Sequence, residues 1–398
     1  MFLAGIISEY NPFHYGHAAL IKKTRQNGAT HIVAVMSGNF VQRGEPAVLS
    51  KWARTRQALE NGVDLVVELP LPWALSGAEK FALGGVSLLD AMGADIISFG
   101  SETGDIKSLK KAADILQSRS FSEAIKKELK NGNTFAKARQ NAVLSLFDSK
   151  TAELLSSPNN ILGIEYIKSI DKLKSKIEPF TTKRVGAAHD TANYEGKYAA
   201  ASQIRSLMLT GKEYSNFMPN SAYSTAQKEI NEGAAPACIK FAERAILAKL
   251  RCMSRSDFEM LPDISEGLEN RIYSAVRKAE SLEGLYFLIK SKRYTLARIR
   301  RIVLSAFLGI KSSHTIGLPP YIHVLGFNER GTEILHSIKP KVKIPIITNS
   351  SDIFSLDKIG KNMVELESRA TDLFTLCTPK ISPCGLYMTK GIIFLPSR

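Results

Sequence analysis

Two histidines three residues apart stand where a strand hands over to a helix. The chain opens on the apolar run 1–7 and passes through Ile7, Ser8, Glu9, Tyr10, Asn11, Pro12 and Phe13 to His14-Tyr15-Gly16-His17. Ala18, Ala19, Leu20 and Ile21 then lead into Lys22, Lys23 and Arg25, the pattern of an amphipathic helix. A buried strand running through a glycine turn into a helix start is a phosphate-binding arrangement. Its unpaired backbone N–H groups and the positive end of the helix dipole face whatever lies beyond the strand. On a first helical turn His14 and His17 share a side, so two imidazoles add donors at the same place. Transfer at a phosphoryl group asks a protein mainly for positioned donors and positive charge. The pair can also be read as turn and cap residues, and the strand-to-helix context favours chemistry.

Other polar residues stand where they could join that work. Lys183-Arg184-Val185-Gly186-Ala187-Ala188-His189 follows a strand-like run. The Arg184 guanidinium matches phosphate geometry, or is a surface charge at a strand end. Ala200-Ala201-Ser202-Gln203-Ile204-Arg205 opens a helix. There Ser202 fits an N-cap. Ser157-Pro158-Asn159-Asn160 precedes an apolar helix; it reads as a helix-start signal or as an amide set to bond an adenine or ribose edge. Asp64 and Glu68 are carboxylates near a strand end that could meet Mg²⁺. Gln42-Arg43-Gly44-Glu45 is a polar loop able to close over substrate. Lys51 and Arg54 are expected to be surface charges, and Trp73 a core residue or, as the alternative, a ring packed over the nucleotide.

The elements that must position these residues alternate over the first hundred positions. Strands are expected at 1–7, 31–36, 63–69 and 95–99, and helices at 16–27, 51–60 and 78–92. Asn61-Gly62 and Gly93 act as helix stops. This alternation predicts an α/β fold with a doubly wound parallel sheet, Rossmann-like, whose ligands bind beyond the carboxyl ends of the strands. His14 and His17, Ser37-Gly38-Asn39, Glu68-Leu69-Pro70 and Gly100-Ser101 all fall at such ends. The expected organisation is a catalytic domain over 1–209, with a helical insertion at about 105–170, and a mostly helical domain over 210–398.

The chain has 398 residues, 53 Lys and Arg against 38 Asp and Glu, and a net charge of +15. That length predicts more than one core, and the charge suggests a polyanionic partner. No apolar run is long enough to span a bilayer, and no basic segment precedes the first apolar run as in a signal peptide. Cys238, Cys252, Cys377 and Cys384 show no metal-ligand spacing and fit a reducing cytoplasm. Between Glu283 and Glu329 the chain carries no acid while holding Lys290, Lys292, Arg293, Arg298, Arg300, Arg301 and Lys311 around Tyr294. This stretch reads as a solvated helix face or as an RNA contact, with cations on phosphates and an aromatic stacked on a base.

His14-x-Gly16-His17 resembles the signature of the HIGH-type nucleotidyltransferase superfamily, and 200–205 resembles its second signature with a depleted Ser/Thr run. The second likeness gives Ser202 and Arg205 another reading, as a triphosphate contact. The set GIISEYNPFHYGH, FGSE, SPNNILGIEYIK, KRVGAAHD and KSKRYTLARIRR is similar to the bacterial tRNA(Met) cytidine acetate ligases. That resemblance implies activation of acetate by ATP, with Mg²⁺ on the phosphates, followed by acetylation of N4 of the wobble cytidine of elongator tRNA(Met). It also implies ATP held by 7–20, Gly100, Asn159 (rather than Asn160) and Arg184. The rival reading is a small-molecule adenylyltransferase of cofactor synthesis, which needs no extended basic helical domain.

Overall fold

The computed structural model describes residues 1–184, 198–265 and 267–396. Five strands run parallel: β1 (Leu3–Ser8), β2 (His31–Ser37), β3 (Leu65–Leu69), β4 (Ile96–Ser101) and β5 (Glu178–Lys183), in the order β3-β2-β1-β4-β5. The first three are buried almost throughout, which is why their sequences are continuously apolar rather than alternating. Register is set by pairs such as Ile6 with Ala34 and Ala34 with Val66.

Helices cover both faces. Ala4 and Ile6 pack toward α1 (Tyr15–Gln26) and α2 (Lys51–Glu60), while Leu3 and Ile7 pack toward α3 (Ala78–Ala91) and α4 (Pro158–Leu173). Gly85 lets α3 approach closely, since a Cβ there would stand 2.6 Å from Ile7 Cδ1. Helices fill the chain between Ile106 and Leu154, leading into α4.

The expected division at residue 210 needs correction. The chain is helical from α5 (Ala201–Leu209) through α6 (Leu282–Ile289) and α7 (Leu296–Leu308), then returns to the sheet. There β6 (Ile322–Asn328) pairs antiparallel with β3, and β7 (Ile346–Ile347) and β8 (Ile393–Leu395) pair with β6. Without β6, the unpaired N–H and C=O groups of β3 would form an open sheet edge.

Because β1 to β5 are parallel, their carboxyl ends lie along one edge. Strand order reverses between β1 and β4, the place where open α/β sheets form a crevice. Among the described residues, no helix is long and apolar enough to cross a membrane.

Candidate active site at the strand ends

The turn after β1 builds a reciprocal cap from the two histidines. His14 is the N-cap of α1, and its Nδ1 accepts from the Gly16 N–H at 3.0 Å. His17 Nδ1 in turn accepts from the His14 N–H at 3.3 Å. This is the capping-box exchange made with imidazoles, and it stacks the rings 3.8 Å apart at 22°. With both Nδ1 atoms accepting, a neutral ring carries its proton on Nε2. Burial, reinforced by the Arg184 and Arg205 guanidinium groups, lowers His14 to about 3. Burial, then His14 and Arg184, hold His17 well below its ordinary value. The pair therefore offers two neutral Nε2–H donors, and the positive charge comes from the arginines. Gly16 is required because a Cβ there would stand 2.8 Å from His14 Cε1.

The rest of the segment mostly supports this pair. Tyr10 is buried and meets His17 edge-on at 4.9 Å, with Phe13 at 5.5 Å from the same ring. Tyr10, Pro12 and Phe13 are buried, which leaves their backbone as the part that can reach a ligand. Asn11 Oδ1 accepts from the Val48 N–H, and the Asn11 carbonyl accepts from Arg205 Nη1 at 2.8 Å. Ile7 belongs to the core, Ser8, Glu9, Tyr15, Ala18, Ala19 and Leu20 are partly exposed, and Ala18 and Leu20 pack on the core.

A second group gathers at the ends of β4 and β5. Arg184 Nη1 donates to Asn159 Oδ1 at 3.0 Å, and the arm of Arg184 lies across Gly100, whose Cβ would stand 3.0 Å from Arg184 Cγ. Glu102 orders the set by accepting from Asn159 Nδ2 at 2.7 Å and from the Asn159 and Asn160 N–H groups. Asn160 is buried, with Oδ1 accepting from the Thr103 N–H, so Asn159 is the asparagine that faces Arg184. Sequence reasoning missed Glu102, although the FGSE run contains it. Residues 185–189 of the arginine motif lie outside the described residues.

Ser202 is not an N-cap, which corrects the capping alternative. Ala200 occupies the cap of α5, and Ser202 sits in its first turn with its hydroxyl making no hydrogen bond among the described residues. One turn on, Arg205 ties α5 to the turn after β1.

Lys51 and Arg54 are not surface charges. Arg54 is fully buried and donates to the carbonyls of Glu9 (2.7 Å), Ser37 (3.0 Å), Leu49 (3.1 Å) and Gly38, pinning the ends of β1 and β2. Lys51 Nζ lies 2.8 Å from each Glu68 oxygen, and His323 Nδ1 stands 2.7 Å from Glu68 Oε2. Asp64 accepts from Arg25 and from the Ile32 N–H. Neither carboxylate is free for Mg²⁺, and among the described residues no group of three or more His, Cys, Asp or Glu could hold a metal ion. Trp73 is in the core, against Gly84.

The basic stretch divides in two. Lys290, Lys292 and Arg293 are exposed. On α7, Arg298 donates to the Asp263 carbonyl and Ser265, Arg301 pairs with the Asp263 carboxylate at 3.1 Å, and Arg300 pairs with Glu45. Tyr294 is buried beneath Arg298, its ring centroid 5.2 Å from the guanidinium, so it is not exposed for base stacking as expected.

A family model described as HIGH Nucleotidyl Transferase matches residues 1–385. The tRNA(Met) cytidine acetate ligase of Thermoanaerobacter sp. (strain X514) is 42% identical over 406 residues, covering 99% of this chain and 100% of that protein. The enzyme of that name from Caldicellulosiruptor saccharolyticus is 43% identical over 407 residues, covering 99% of each. Two crystal structures of Thermotoga maritima TmcAL cover 100% of both chains. The apo form has a TM-score of 0.95 at 35% identity, and the form bound with alpha-thio ATP 0.93 at 34%. With such identity over its whole length, the chain belongs to the tRNA(Met) cytidine acetate ligases of the HIGH nucleotidyltransferase family.

Proposed function

We propose that this chain is an ATP-dependent ligase that converts acetate to acetyl-adenylate and acetylates N4 of the wobble cytidine of elongator tRNA(Met). The observation that carries the reading is the stacked neutral pair His14 and His17, with Nε2–H groups left to donate, beside Arg184 and Arg205. Acetate oxygen attacks the α-phosphorus, the bond to the bridging oxygen breaks, and pyrophosphate leaves. Charge grows on phosphoryl oxygens in that step, and fixed donors answer it without reorganisation. Arg184 with Asn159 over Gly100, and Ser202 with Arg205, hold the nucleotide, joined by backbone of 7–20. In the second step cytidine N4 bonds the acetyl carbon, the carbon–oxygen bond of the mixed anhydride breaks, and AMP departs while N4 loses a proton.

Mg²⁺ bound to the triphosphate would neutralise its charge. It keeps water and phosphate ligands in most such sites, which suits a crevice whose Glu102 is engaged by backbone N–H groups. Lys290, Lys292 and Arg293, with the α7 arginines, supply charge for the tRNA. The free cysteines Cys238, Cys252, Cys377 and Cys384 support a cytoplasmic setting.

The test is ATP–pyrophosphate exchange with a panel of carboxylic acids, with and without tRNA, followed by mass spectrometry of tRNA nucleosides. Acetate-dependent exchange and N4-acetylcytidine are expected. Exchange absent with every acid, in both the tRNA-free and the tRNA-containing reactions, overturns the reading.

A further inference from the structure

One charged group near the crevice is not among those assigned above to ATP. Phe40–Val41 and Glu45–Pro46 form a short antiparallel hairpin after β2, closed by the Gly44 N–H donating to the Val41 carbonyl at 2.9 Å. Its tip is fastened on both sides. The Gln42 N–H donates to Glu9 Oε1 at 2.9 Å, and Arg54 holds the Glu9 carbonyl. On the far side Glu45 pairs with Arg300. Gly44 has φ +77°, and a Cβ there would stand 2.6 Å from the backbone nitrogen of Arg301, so the tip rests directly on α7. Arg43 projects from this tip. It is exposed and has no hydrogen bond or ion pair among the described residues. Gln42 Nε2 is shut off from solvent and also lacks a partner among them, a cost that native sites retain where something else completes the structure.

The hairpin thus sets one acceptor, the Glu9 carboxylate, close to one free multiple donor, the Arg43 guanidinium. Both stand at the seam between the catalytic crevice and the basic helix. Cytosine displays the complementary edge: an N4–H donor followed by acceptors at N3 and O2. Guanidinium donors and carboxylate acceptors are the side-chain groups that read such edges. Burial raises the Glu9 carboxyl, while Arg205, Arg43 and Arg54 oppose that rise, which places these groups within electrostatic reach of one another.

We propose that Glu9 and Arg43 form the subsite that reads the acceptor cytosine, Glu9 accepting from N4–H and Arg43 donating to N3 and O2. This rests on the proposed acetylation of a tRNA cytidine. The decisive variant is Arg43→Ala, an exposed change that spares the fold, with Arg43→Lys retaining charge but not the fork. Binding of tRNA(Met) carrying C or U at the acceptor position is measured by filter retention. Acetate-dependent exchange without tRNA and acetylation of the C form are followed in parallel.

Wild type is expected to favour C over U by about tenfold to a hundredfold. Arg43→Ala should erase that preference and lower acetylation at least tenfold while exchange continues, and Arg43→Lys should recover little of either. The proposal is overturned by a C preference that survives in Arg43→Ala, by acetylation at the wild-type rate, or by no C preference in wild type. Wild type without acetate-dependent exchange, in the absence and in the presence of tRNA, would fail the ligase reading alone, because the C-against-U comparison needs no acetate.

Discussion

Replacing His14 by Ala and by Asn separates its two jobs. As N-cap, its Nδ1 takes the Gly16 N–H at 3.0 Å; as a proposed donor, its Nε2–H serves the α-phosphate. Losing a cap costs about 1 kcal/mol of stability. Losing one preorganised donor in a site of this kind costs about 10²–10³ in kcat, roughly 2.7–4 kcal/mol of the barrier. Asn is among the best N-caps, and its side-chain oxygen can accept from Gly16, but it cannot reproduce the imidazole Nε2–H. His14→Ala should therefore lose about 1 kcal/mol in urea unfolding together with about 10²–10³ in acetate-dependent exchange. His14→Asn should regain the stability and remain as slow. Both variants uncover the His17 ring, which stacks on His14 at 3.8 Å, so the difference between them isolates the cap. The pH dependence gives a second check. Folded His14 protonates near 3 against an ordinary 6.5, so the unfolded chain binds the proton first and stability falls as pH drops through that window. Either variant should show a shallower acid limb. If His14→Asn restores exchange to within about tenfold of wild type, the histidine is a cap alone and its catalytic role is refuted.

Burial, with Glu68 nearby, raises Glu367 to about 8 from 4.5, so its native neutrality costs stability as pH rises through that window. Glu367→Gln, which can still accept from the Leu71 N–H, should gain on wild type in urea midpoints between pH 5 and 9, and parallel pH profiles would count against a protonated Glu367. Lys51→Met leaves the Glu68 carboxylate, 3% exposed, with His323 as its remaining hydrogen-bonding partner among the described residues; a loss of about 3–5 kcal/mol is expected in denaturant unfolding, and a loss below about 1 kcal/mol would contradict a buried pair. Lys290→Ala and Lys292→Ala should each lower the slope of log K against log salt for tRNA by about 1; unchanged slopes would remove both residues from the RNA interface.

Much of the candidate site was legible because its signals are local. A continuous apolar run marks a strand buried on both faces, and a glycine after histidine marks a tight helix entry. The same locality explains the misses. A buried arginine such as Arg54 looks like any helix-surface arginine, since its partners are backbone carbonyls of Glu9, Ser37, Gly38 and Leu49, which have no side-chain signature. The acid-free stretch around α7 looked unpaired because its acids, Asp263 and Glu45, lie far away in the chain. β6 was missed because Ile322–Asn328 carries His323 and Gly326 within a short run.

The sequence by itself determined the parallel sheet, the strand ends where Gly100 and Arg184 stand, the helix start that carries Asn159, and the paired histidines at another helix start. Each depends on residues within one or two turns of chain. Tertiary structure alone decided that the histidines are neutral donors, because their protonation depends on burial and on Arg184 and Arg205, which are distant in sequence. It likewise decided that Asn159 rather than Asn160 faces Arg184, that Tyr294 is covered, and that β6 closes the sheet. These outcomes turn on which distant groups share a volume, and local propensity carries no information about that.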